Sequence, residues 1–371
     1  MTKLSKWISA ICIIISALLI VLLLTVFLVA SGDDNSQYIS GSKPSTMSRF
    51  EVYVNNASSE ALDGIIPIKK KYQLSEDLVV APEPNQSLFG TAGSPDELEA
   101  IITDASELLD GQSTLFAPDT DILEGSEINY YLDDTILAIT WKQVIGGCCY
   151  TFSEVKIADA SQFRRYFTEN SFSSGIRSQP SDMATTVNAV VAMSGDFCTT
   201  RDLGIVVYQR ELYRVHGRYM DNLFIDSNGD FHFSPKDTIF DEDTARAYIR
   251  ENDIVFSLAF GPILVDNGVN VAPGAYVVGE IDDYYSRGAI AQLGDKHYLL
   301  VSVNRERPYY PGITTRALAA VLADMGCPKA YALDGGQTVT LIMNDRVINN
   351  TDYGSQRQIS DIIYFATAIP D

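Results

Sequence analysis

The apolar run Ala330 to Leu333 stops on Asp334, Gly335 and Gly336 before apolar residues resume at Val339. An acid at the end of a buried strand, followed by two residues free to adopt φ > 0, sets a carboxylate beside backbone N–H groups that a Cβ would shield. Such a corner can hold an anion and attack what the anion is bonded to. A second apolar run, Val187 to Met193, ends in the same way on Ser194, Gly195 and Asp196. An isolated Asp-Gly pair is commonly a hairpin turn, but two acids at the ends of two apolar strands carry more weight than either alone. Glu280, Arg287, Arg305 and Arg307 are the other charged residues beside apolar strands in the second half. A lone arginine on a strand flank is usually solvated, yet its planar two-pronged donor is what a phosphate requires.

Elements must carry these residues. His297 to Asn304 reads as a strand, Thr315 to Met325 as a helix with Leu318, Val321, Leu322 and Met325 on one face, and Ala330 to Leu333 as the next strand. That spacing predicts a βαβ unit with a right-handed crossover, and ligands gather at the carboxyl ends of such strands, where Asp334 falls. Upstream, Thr135 to Val144 and Tyr150 to Ile157 flank Gly146-Gly147 as a hairpin. Further hairpins are expected over Ile205 to Val215 and around Asn228-Gly229, with a short helix over Thr244 to Glu251 and a buried strand over Ile254 to Phe260. Ser94, Pro95 and Glu97 open a helix over about residues 94–110 as a capping box. Long strands with few helices give an α+β (mixed α/β) domain with a mixed sheet and flanking helices.

Several chemistries lack local support. Only His216, His232 and His297 are present, with no H-x-x-x-H pair, no G-x-S-x-G elbow and no P-loop. Asp226 to Asp230 begins like a calcium loop, but Phe231 stands where glycine is required, so a hairpin turn is expected; calcium is possible without a clear motif, and no cofactor or metal ligand is assigned. Cys148, Cys149, Cys198 and Cys327 are too few to frame a fold of this size, and Cys198 has no histidine partner that would make it a nucleophile.

The chain has 371 residues, 46% of them hydrophobic, and a net charge of −21. Ile8 to Ala30 contains no charged residue, and a helix of that length reaches roughly 34 Å, enough to cross a bilayer core of about 30 Å. Lys3 and Lys6 precede it and Asp33-Asp34 follow, which places residues 1–7 in the cytoplasm and the remainder outside. The apolar run exceeds a signal h-region, so an uncleaved single-pass signal anchor over 8–30 is expected, followed by a polar stalk over 31–64. Residues 65–129 form an N-terminal extension and 130–371 the main domain. All 48 acidic residues lie beyond the apolar run, which argues against nucleic acid as a partner.

The ordered succession Ser194-Gly195-Asp196-Phe197, Leu203 to Val207, Leu258 to Gly268, Arg287 to Ile290, Gly326-Cys327, Ala332 to Thr338 and Asn344 to Asn349 resembles the phosphodiester glycosidase family over roughly Tyr130 to Ile369. The region including Tyr131 to Ile136 is similar to bacterial, membrane-anchored members. Two residues depart from the family pattern: Ser194 stands where asparagine is common, and Gln337 where glycine or serine is frequent. The resemblance implies an extracytoplasmic hydrolase of sugar-1-phosphodiesters in a surface or exopolysaccharide glycan; the other class left open is a non-catalytic polysaccharide-binding module of the same fold. A phosphomonoester leaving group has a second pKa near 6 and departs with little help from an acid. One carboxylate can therefore suffice where ordinary glycosidases need two. In this reading Asp334 is base or nucleophile, and Asp196 binds sugar hydroxyls or supplies a second carboxylate, with Glu280 a further catalytic candidate. Arg287 and the N–H groups of Gly335 and Gly336 hold the phosphate, and Gln337, Thr338, Ser194, Gly195 and Arg307 complete the substrate contacts.

Overall fold

The computed structural model describes residues 72–369 apart from 174, 240 and 279, together with the backbone of 37 and 38. The expected signal anchor over 8–30 and the stalk over 31–64 lie outside the described residues. Among the described residues no helix is long and apolar enough to cross a membrane.

A ten-stranded sheet forms the centre. Its path runs Val269–Asn270, Ile263–Asp266, Lys329–Leu333, Arg287–Gly294, His297–Glu306, Cys148–Ile157, Ile136–Ile145, Ile128–Leu132 and Phe89–Ala92, with Tyr310–Pro311 paired to the side of His297–Glu306. Neighbouring strands are antiparallel throughout. Both faces are buried, which explains why its central strands read as nearly continuous apolar runs. One face presents Leu137, Ile139, Trp141, Phe152, Leu299, Val301 and Ala330 to the helix Thr315–Asp324 and to Leu98, Ala105 and Leu109. Alternate residues on the other face, including Ile136, Ala138, Val155, Leu300, Ile290 and Tyr331, meet Met193, Leu341, Ile363, Leu223 and Phe256 from two smaller sheets.

The first of these is five-stranded, in the order Arg346–Val347, Leu341–Met343, Val191–Ser194, Asp361–Phe365, Phe163–Phe167. The second joins Phe231–Ser234, Asn222–Asp226 and Ile254–Leu258. The hairpin Gly204–Tyr208 to Glu211–His216 lies alongside. Residues 72–129 add Phe89–Ala92 to the central sheet and Phe116 to its core.

The anticipated hairpins form. Gly146 and Gly147 adopt φ of 57° and 77°, the left-handed pair that a tight two-residue hairpin requires. Three expectations change. The βαβ unit is split: His297–Glu306 and Lys329–Leu333 run parallel, but Arg287–Gly294 sits between them and pairs antiparallel with both. Gly288, Gln292 and Gly294 interrupt the apolar pattern of that strand, so the sequence does not announce it. The helix expected over 94–110 breaks into a 3-10 turn, Glu99–Asp104 and Ser106–Leu109. Its capping box fails because Glu97 accepts from the Gly93 N–H at 3.2 Å and from the Ser94 hydroxyl at 3.3 Å, while Ser94 caps no backbone N–H. The run from Val187 enters its strand only at Val191, after the helix Pro180–Thr186.

Candidate active site

Lys329–Leu333 delivers Asp334 to the end of the central sheet, as expected. The side chain is 9% exposed, and the Nη2 of Arg201 lies 3.3 Å from its Oδ1. The N–H of Gly335 donates to the same oxygen at 2.9 Å, so Oδ2 takes neither bond. Burial raises the Asp334 pKa above the ordinary carboxylate value, and Arg201, the Gly335 N–H and the nearby Thr338 hydroxyl work against that rise. The result is a carboxylate that is poorly hydrated yet still able to ionise, a combination suited to accepting a proton or attacking carbon.

Arg201 carries no sequence signal of its own. It sits in the loop between Val191–Ser194 and Gly204–Tyr208, with its guanidinium carbon 4.4 Å from the centre of the Phe260 ring. Among the described residues its Nη1 is buried without a hydrogen-bond partner, as are Thr199 Oγ1 and Asp202 Oδ1. Buried polar atoms are ordinarily paired. All three lie within the segment 199–202, where water or a polar ligand can supply the missing bonds.

The glycines of the corner serve a different purpose from the one expected. The Gly336 N–H donates to the Ser286 carbonyl at 2.8 Å, and the Gly335 N–H is taken by Asp334. Neither N–H is available to a phosphate. Gly335 is glycine because a Cβ would stand 2.8 Å from the Ser286 oxygen, and Gly336 because its φ is 61°. Arg287 is likewise committed: its Nη2 donates to the carbonyls of Glu280 at 2.5 Å and Asp283 at 2.9 Å, and its Nε to that of Ile313 at 3.3 Å. It ties the 280–286 loop to the sheet, and burial lowers its pKa. Glu280 is exposed on that loop at φ 53° and holds Arg287 through its backbone, not its carboxylate. Gln337 donates to the Ser355 hydroxyl at 3.1 Å. Arg307 is exposed and lines a separate groove with Arg305.

Asp196 is fully buried and its carboxylate is occupied. Oδ1 accepts from Arg165 at 2.7 Å and from the Cys198 N–H at 2.9 Å, and Oδ2 from the Ala259 N–H. It cannot bind sugar hydroxyls or act as a second catalytic carboxylate. Arg165 also bonds Asp361 at 2.8 Å, and Asp361 accepts from the Phe197 N–H at 3.2 Å. Burial opposes the charge on Arg165, but Asp196 and Asp361 outweigh it and hold the guanidinium protonated. Asp196, Cys198 and Asp361 offer atoms close enough to surround a metal; the Arg165 guanidinium already supplies the positive charge among them, so the set does not fit a cation. Burial raises the Cys198 thiol well above its usual range, consistent with packing and not attack.

The function of this cluster is to fix the loop that carries Arg201. From the other side, buried Arg214 donates to the carbonyls of Cys198 at 3.0 Å, Arg201 at 2.6 Å and Leu203. Ser194 is also fully buried, its hydroxyl accepting from the Thr340 N–H at 3.2 Å, so it positions backbone and presents no surface to a ligand. Gly195 is required because a Cβ there would stand 2.0 Å from Asp361 Oδ2. Gly195→Ala is expected to lower the melting temperature by several degrees and to loosen the 195–201 loop, read as faster amide exchange at Phe197 and Cys198. Arg165, Asp361 and Arg214 are absent from the expected site. The accessible signal was a charge inside an apolar strand: Arg165 within Phe163–Phe167 and Asp361 opening Asp361–Phe365.

The site is thus a buried carboxylate at the end of a central strand, facing an arginine on a loop held by internal ion pairs. Residues 187–366 match the family model for phosphodiester glycosidase. Among solved structures, the catalytic domain of zebrafish N-acetylglucosamine-1-phosphodiester alpha-N-acetylglucosaminidase, auto-inhibited by its pro-peptide, is 17% identical over 70% of this chain and 92% of its own, with a TM-score of 0.48. A hypothetical protein from Synechocystis is 14% identical over 65% of this chain and 64% of its own, TM-score 0.46. A putative exported protein from Burkholderia pseudomallei is 12% identical over 59% and 74%, TM-score 0.42. No curated protein matches the chain.

Proposed function

We propose that this chain hydrolyses a sugar-1-phosphodiester, with Asp334 and Arg201 as its working pair. The observation that carries the reading is the buried Asp334 carboxylate set against Arg201, whose Nη1 lacks a partner among the described residues. Asp334 accepts a proton from water as the water oxygen bonds to the anomeric carbon. The bond from that carbon to the phosphate oxygen breaks, its electron pair leaves with the phosphate, and Asp334 returns the proton to solvent. Arg201 neutralises the charge that develops on the leaving phosphate, which needs little protonation because of its low second pKa. The match of residues 187–366 to the phosphodiester glycosidase model supports a phosphodiester-linked sugar as the substrate. Location on the outer face of a membrane, with a surface glycan as target, is part of the proposal and rests on the sequence of residues 8–30.

The test is incubation of the full chain, purified in detergent, with an aryl sugar-1-phosphodiester. Release of free sugar is expected; binding without release would assign the chain to the non-catalytic class. Arg201→Lys should lower kcat/KM by about 10²- to 10³-fold, the size typical of losing one preorganised transition-state donor. Arg201→Ala should also move the acid limb of the pH–rate profile upward. Arg201 favours the ionised form of Asp334, so its removal lets burial raise that pKa further and the base ionises only at higher pH. An unmoved limb would sever the pairing.

A further inference from the structure

A groove of about 1060 Å³ lies between the segment Arg305 to Arg307 and the segment Asn349 to Gln356. It is joined to the Asp334 corner by two short links. Gln337 donates to Ser355 on the groove wall at 3.1 Å. Ser286, whose carbonyl holds Gly336, donates its hydroxyl to Asp352 at 2.5 Å and accepts the Arg305 N–H at 2.8 Å.

The chemistry of the groove is specific. Neither Arg305 nor Arg307 has a carboxylate partner among the described residues, although the chain carries 48 acids. Arg305 is oriented by the Tyr285 ring, 4.9 Å from its guanidinium carbon. Two carboxylates also line the groove and are held in place by neutral donors, Glu306 accepting from Asn350 at 2.9 Å and Asp352 from Ser286, so an anion must seat on the guanidinium side. Tyr353 is 91% exposed and held at φ 61°, a conformation that disfavours a bulky residue and is kept where the surroundings impose it. An aromatic face presented to water beside two arginines without a carboxylate partner among the described residues suits a ligand that alternates sugar rings with anions.

We infer that this groove binds the continuing chain of a repeating sugar-phosphate glycan, so that the next phosphate along sits at Arg305 and Arg307 while a sugar ring lies on Tyr353. The inference rests on the hydrolase reading only for which bond is cut; the groove itself is tested by binding. The probe is a synthetic oligomer of three hexose-1-phosphate repeats, compared with a single repeat and with a neutral trisaccharide. It is titrated calorimetrically against full-length chain bearing Asp334→Asn to prevent turnover.

The oligomer is expected to bind at least about tenfold tighter than the single repeat, with an advantage that shrinks as salt rises. In the added double variant R305A/R307A that advantage should vanish, and Tyr353→Ala should weaken binding of the oligomer and of the neutral trisaccharide alike. An oligomer that binds no tighter than one repeat, or an advantage that survives R305A/R307A, overturns the inference. The outcomes separate from those of the hydrolase reading: no sugar release by the wild-type chain together with the length advantage removes the catalytic assignment and keeps the groove, whereas release without the advantage does the reverse.

Discussion

Asp334→Asn is expected to reduce turnover of an aryl sugar-1-phosphodiester by about 10³-fold or more, because the amide can neither accept the proton of the attacking water nor bond to the anomeric carbon. The same substitution should leave the melting temperature unchanged or raise it. The folded state raises the Asp334 pKa, chiefly through burial. Between the unfolded and folded values the native chain therefore binds more protons than the unfolded one, and stability falls as pH rises through that window. A neutral isostere removes this cost, and the pH dependence of stability should flatten in the acid range while activity is lost. Loss of activity accompanied by a large fall in melting temperature would make Asp334 a structural acid, and full activity would remove it from the chemistry. Both outcomes are read from one preparation by a rate assay and a thermal melt.

Arg165→Met should have the opposite profile. It leaves Asp196 and Asp361, both with fully buried side chains, without the guanidinium that compensates them. Breaking a buried pair from one side costs about 3–5 kcal/mol, which for a domain of this size corresponds to a melting shift on the order of 10 °C. Activity of the surviving folded fraction should fall as well, since the released loop carries Arg201. The melt distinguishes the two variants: Arg165→Met unfolds early, Asp334→Asn does not. Partial recovery of stability on adding Asp196→Asn and Asp361→Asn to Arg165→Met would show that stranded charge, and not lost packing, is the cause. Absence of any melting change in Arg165→Met would contradict the assigned role of the cluster.

Much of this architecture was legible in the residues. Strand-like runs on either side of Gly146-Gly147 found the long hairpin Ile136–Ile145 to Cys148–Ile157, and the two glycines placed its turn. Asp334 was found because it interrupts an apolar run and is followed by glycines. What could not be read was pairing across the chain. Arg287 looked like a phosphate ligand because arginines commonly are; only the fold shows its nitrogens on the carbonyls of Glu280, Asp283 and Ile313. Asp196 and Asp334 have matching local sequences, a strand end beside glycine. They differ because Asp196 meets Arg165 from a strand 31 positions earlier, whereas Asp334 meets the partly exposed Arg201 from a loop. Arg201 itself follows two threonines in a loop with no periodicity, and its importance comes from Phe260 and Asp334, which are remote in sequence. The split of the βαβ unit has the same origin, since a glycine-interrupted strand was invisible to patterning.

Ser286 faces two ways, its carbonyl on Gly336 and its hydroxyl between Asp352 and the Arg305 N–H. A residue so placed makes the acid corner and the arginine groove parts of one hydrogen-bonded circuit instead of neighbouring compartments. By thermodynamic linkage, any tightening that a ligand in the groove imposes at the corner is returned in equal measure when the corner is filled first. Under the proposed hydrolysis, polymer length would then be felt at the cleaved bond, and the substrate would be measured before it is cut.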